Sequence, residues 1–133
     1  MQQLKPIVAE IVSLGKDLDR QAAELKETAE RSSLARILEQ ISAESFLIAH
    51  SLITAIQLDD GGTALRVMVP QAEEDALMAA ALLMVASHDL LVFTGSLDLS
   101  QRIRALSDRM EAVMWKLEAV GKELPTPAPA TVN

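Results

Sequence analysis

The sequence predicts an all-α protein, an antiparallel four-helix bundle with a short extended or strand-like segment between the second and third helices. Three observations carry that expectation. Apolar residues recur at steps of three and four over three long stretches. A fourth stretch of helical length is apolar throughout. The breaks between stretches are short and built from turn and capping residues, which favours antiparallel neighbours.

In the first helix, expected over about 4–31, Leu4, Ile7, Ile11, Leu14, Leu18 and Leu25 form one stripe. Gly15 falls within the stripe, where a missing side chain permits close helix contact. Ser32 and Ser33 offer a hydroxyl cap for the second helix, about 33–57. Its main face carries Leu34, Leu38, Ile41, Ile48, Leu52 and Ile56. Phe46, Leu47 and Ile53 then appear on the side that should be wet, which implies a second buried contact. Asp59 to Gly62 are turn residues, and Leu65, Val67 and Val69 alternate with Arg66 and Met68. That alternation fits a short strand over 64–69, or a hairpin pairing it with the end of the second helix. Pro70 closes the segment, and the third helix is expected over about 71–95, with Glu73, Glu74 and Asp75 against its positive N-terminal dipole. Gly95 ends it, and Ser96 or Asp98 caps the fourth helix, about 98–123. There Leu99, Ile103, Leu106, Met110, Val113, Leu117, Val120 and Leu124 make a bundle seam.

The chain has 133 residues, a size that buries a core as a single domain, expected over 1–124. Three prolines among small residues make 125–133 a flexible, extended tail. The absence of cysteine excludes disulfides, zinc-thiolate sites and thiol catalysis. A formal charge of −7 argues against a nucleic-acid partner, whose affinity rests on clustered Lys and Arg. The first residues carry charge early and lack an apolar signal core, so the expected compartment is the cytoplasm.

The third helix makes the strongest demand. From Ala76 to Leu97 the only strongly polar side chains are His88 and Asp89. A helix apolar on every side needs apolar neighbours on every side. A membrane is an unfavoured source of them: eight good inserters gain roughly 0.3–0.6 kcal/mol each, and Asp89 alone costs about 2.5–3.5 kcal/mol. A second copy is the simpler source, giving an expected homo-oligomer, first of all a dimer. Its interface is expected to include Phe46, Leu47, Ile53, Leu83, Leu90 and Phe93.

His88 and Asp89 are expected to form a buried polar set with Glu44, with Arg66 or Arg36 in reach of Asp89. No nucleophile, oxyanion donor or metal cluster accompanies them, so no catalysis and no cofactor are expected. The pair Gly61-Gly62 lacks a following Lys-Ser/Thr and reads as a turn. Neither histidine has the Glu-x-x-His spacing of di-iron bundles. Trp115 falls opposite the seam of the fourth helix, and with Met114, Glu111 and Arg104 it is the expected partner-binding surface.

The string Ala49-His50-Ser51-Leu52 resembles the start of the phosphoacceptor motif of histidine phosphotransfer domains, which are also four-helix bundles. The resemblance implies a phosphoryl-accepting His50 as an alternative function. Ile53 and Thr54 stand where that family has a lysine and a small residue, the two positions that neutralise and make room for the phosphoryl donor. A carrier holding a lipid or cofactor between the second and third helices is another alternative. The reading that accommodates most of the sequence is a non-enzymatic, self-associating protein-binding module of the adaptor, chaperone-like or regulatory kind.

Overall fold

The computed structural model describes residues 2–26, 32–58 and 60–124. They form four helices: α1 (Leu4–Leu25), α2 (Ser32–Gln57), α3 (Thr63–Thr94) and α4 (Leu97–Glu123). The end expected for the first helix, 27–31, and the tail 125–133 lie outside the described residues. α1 packs mainly on α2 and α3 mainly on α4, and the two hairpins join along α2/α3 and α1/α4. α3 and α4 run antiparallel, as shown by Ser87 level with Ser100 and Ala80 level with Ser107, and so do α1 and α4, where Arg102 meets Glu24 and Arg109 meets Glu10.

The expected stripes of α1 and α4 are the buried ones. Leu4, Ile7, Ile11, Leu14, Leu18 and Leu25 face Ile103, Leu106, Met110, Val113, Leu117 and Val120 across one core. Leu38, Ile41, Ile48 and Leu52 of α2 join it, with Leu34 and Ile56 at its edge.

Small residues bring the helices of each hairpin together. A Cβ on Gly15 would come within 2.9 Å of the Phe46 ring, and the Ser42 hydroxyl donates to the Gly15 carbonyl at 2.8 Å. Phe46 therefore spends its ring on α1, which is the second contact that α2 needed. Between α3 and α4 the Ser87 and Ser100 hydroxyls donate to each other's backbone carbonyls, both at 2.8 Å. Ser107 donates to the Ala80 carbonyl, also at 2.8 Å. So short a side chain reaches the opposite backbone only where the helices nearly touch, and the carbonyl's second lone pair accepts without breaking its own helix.

The expected strand-like segment is helical. α3 opens at Thr63 and runs through Pro70 without a strand, and no strand occurs among the described residues. Gly61 and Gly62 take positive φ, +70° and +83°, to turn the chain. Asp60 then accepts the Ala64 amide at 3.1 Å and Thr63 donates to the Asp60 carbonyl. Leu65 and Val69 are buried together because residues four apart share a helix face. Alternation over six residues is compatible with both periods, and the neighbouring helix decides between them.

The earlier start moves Glu73, Glu74 and Asp75 into the interior of α3, away from the N-terminal dipole they were expected to oppose. Gly95, at φ +68°, ends α3 with its amide on the Leu91 carbonyl, and the Ser96 hydroxyl caps α4 by accepting the Leu99 amide.

α4 is tied to α1 by Arg109, which donates to Glu10 at 2.9 Å, to Asp17 at 2.7 Å and to Ser13 at 3.3 Å. Burial pulls its pKa down, but the hydrogen bonds to Asp17 and Glu10 outweigh that and hold it above the ordinary arginine value.

Candidate functional site

α3 buries one side in its own chain and leaves the other bare. Leu65, Val69, Ala72, Ala76, Ala79, Ala80, Leu83, Ala86, Ser87 and Leu90 face inward. Alanine and serine dominate that side because α4 lies so close. The bulky residues point out. Leu77, Met78, Leu82, Val85, Leu91, Val92 and Phe93, with Leu97 of α4 and Leu47 of α2 beside them, are between 41% and 81% exposed. At ~200 Å² per large apolar side chain, these nine leave roughly 1,000 Å² of apolar surface uncovered, against the ~300–600 Å² of the largest patch on a typical monomer.

Two troughs border this face. One, of about 420 Å³ between α2 and α3, is lined by Leu47, Ile48, Met68, Ala72, Met78 and Leu82, with Glu44, Ser51, Gln71 and Asp75. The other lies between α3 and α4 and is lined by Val85, Ser87, His88, Leu91, Leu97, Ser100 and Arg104. Both open to the surface, and the helices beneath are filled by the core.

The structure corrects several expected placements. Leu83 and Leu90 lie fully in the chain's own core and are not available to a second copy. Leu47, Ile53 and Phe93 are exposed, and Ile53 sits on the α1 side of α2, seven residues from Phe46. The expected buried set of His88, Asp89 and Glu44 does not form: His88 and Glu44 are exposed and Asp89 half-buried. Starting α3 at Thr63 instead of about residue 71 slides the α2/α3 register by two turns, so Glu44 meets Asp75 and Met78. Arg66 bonds Gly61 and Thr63 at the opposite end of α3 from Asp89.

Of the expected partner surface, Trp115 and Glu111 are exposed together, with the indole N–H donating to the carboxylate at 3.4 Å. Met114 is buried beneath them with the α4 seam. Arg104 stands three turns from Trp115 on the same side of α4, in the trough that holds His88. His50 is exposed at a hollow lined by Ser51, Thr54, Ala55, Leu58, Ala64 and Met68, with no Lys or Arg among the described residues that line it.

Sequence reasoning missed Met78 and Leu97, and did not separate Leu77, Leu82, Val85, Leu91 and Val92 from the inward residues of α3. The signal was present in residue size: alanines mark the side pressed on a neighbouring backbone, and large side chains mark the side that is free.

α3 is the helix among the described residues long and apolar enough to cross a membrane, with a mean hydropathy of 2.0 and 39% of that window buried in the bundle. No group of three His, Asp or Glu among the described residues is placed to hold a metal ion. Comparison of the chain with protein families, with curated proteins and with solved structures finds no match.

Proposed function

We propose that this chain works by binding protein, without catalysis of its own, and that the first protein it binds is a second copy of itself through the outer face of α3. The observation that carries the reading is the bare apolar side of that helix. With Leu47 and Leu97 beside it, the face offers roughly 1,000 Å², enough to supply the ~800 Å² that each partner of a stable complex contributes. A lipid surface suits the face less well. Its borders carry Glu44, Glu74, Asp75, Asp89, Asp108 and Glu111 against one arginine, Arg104, and membrane-surface helices carry Lys and Arg on their borders.

Sedimentation velocity across a hundredfold concentration range tests this. A dimer that Leu82→Glu converts to a folded monomer supports the reading. A native chain that stays monomeric, or that floats with neutral phosphatidylcholine vesicles in place of dimerising, overturns it.

A further inference from the structure

The α3/α4 hairpin supplies a ruler. Ser100 is level with Ser87 and Ser107 with Ala80, so each step along α4 is one step back along α3. On that ruler Arg104 stands level with Leu83 and Asp108 with Ala79, two residues either side of Ala81. Trp115 stands level with Ala72 and Leu97 with Leu90, nine residues either side of Ala81. On α3 itself Glu74, Ala81 and His88 are seven apart and share one line of the helix. Three separate pairs therefore share a single midpoint, and that midpoint is a small exposed residue.

We infer that the second copy seats antiparallel on α3, with the two-fold axis at Ala81. This rests on the self-association proposed above. Reversal about that axis sets Arg104 against Asp108 of the partner subunit and His88 against Glu74 of the partner subunit. It lays Trp115 over Leu91 and Leu97 of the partner subunit, which gives the exposed indole an apolar seat. The charge pattern favours this orientation. Arg104, Asp108, His88 and Glu74 join no ion pair among the described residues, whereas Arg102, Arg109 and Lys122 of the same hairpin are paired within the chain. A parallel seating would set Glu74 against Glu74 of the partner subunit. The antiparallel seating has one strained edge: Asp75, Leu82 and Asp89 also lie seven apart, so Asp75 approaches Asp89 of the partner subunit.

The chain has no cysteine, so single cysteines report the geometry directly. Ala81→Cys is expected to form a disulfide-linked dimer on mild oxidation. Glu74→Cys alone is expected not to, whereas an equal mixture of Glu74→Cys and His88→Cys cross-links. Arg104→Asp and Asp108→Arg each weaken the dimer by roughly tenfold, and the double variant restores it. Asp75→Asn tightens it. A dimer in which Glu74→Cys links to itself, or in which the double charge exchange fails to restore association, overturns the antiparallel seating and leaves self-association standing. A native chain that sediments as a monomer removes both.

Discussion

Replacing Pro70 by alanine tests whether α3 is one continuous helix. Pro70 is the eighth residue of α3, and it lacks the N–H that would bond the Arg66 carbonyl four residues back. In a helix interior proline is about 3 kcal/mol less favourable than alanine. Pro70 is exposed, so its ring contributes little packing that alanine would forfeit. Proline also restricts the unfolded chain, an advantage of roughly 0.4–1 kcal/mol that the substitution gives up. The expected net effect is a stabilisation of about 2 kcal/mol. For a chain of this length that raises the melting temperature by roughly 6–10 °C. The assay is thermal and urea unfolding followed by circular dichroism, with native and variant protein at one fixed concentration. If 64–69 were extended and Pro70 opened the helix, its fixed φ would already suit the first turn, and alanine would leave the midpoint unchanged or lower it. That outcome would refute the continuous α3.

Two further substitutions probe the inner and outer sides of the bundle. Leu83→Ala, at a fully buried site, is expected to cost about 2–5 kcal/mol in urea unfolding. Its neighbour Leu82→Ala is expected to leave the unfolding of the single chain nearly unchanged and to weaken the dimer in sedimentation; equal losses for both would contradict the sidedness of α3. Ser87→Ala and Ser100→Ala are each expected to cost about 1 kcal/mol, with a measurable coupling between them in a double-mutant cycle. Strict additivity would mean that the two hydroxyls do not act as a pair.

Much of the bundle was legible in residue order. Isolated stripes such as Leu4 to Leu25 and Ile103 to Val120 can bury only one side, so their spacing names both the helix and its inner face. Gly95 and Ser96 mark the α3/α4 turn because a left-handed residue followed by a hydroxyl cap has few other uses. Gly15 signals a close contact for the same kind of reason: a bare Cα in an apolar stripe leaves room that a neighbour fills.

The misread strand and the misplaced polar set share one cause, the start of α3. Leu65, Val67 and Val69 satisfy a strand period and, through Leu65 and Val69, a helix period as well. Pro70 reads naturally as a first-turn residue. Only the Asp60, Gly61 and Gly62 turn, with its hydrogen bonds to Ala64 and Thr63, sets the helix going eight residues earlier. That shift carried His88, Asp89 and Glu44 out of the positions expected of them.

Residue order is enough to read four amphipathic or apolar helices, the turn between the last two, and the excess of apolar surface on the third. Local propensity and periodicity act within one helix, so these features need no partner to be read. Which half of α3 its own chain covers is set by packing against α2 and α4. A helix apolar all round has no preferred face until a neighbour selects one, and here the alanines and serines allowed α4 to approach closest on their side. The bulky half was left outward by that choice, and with it the candidate site.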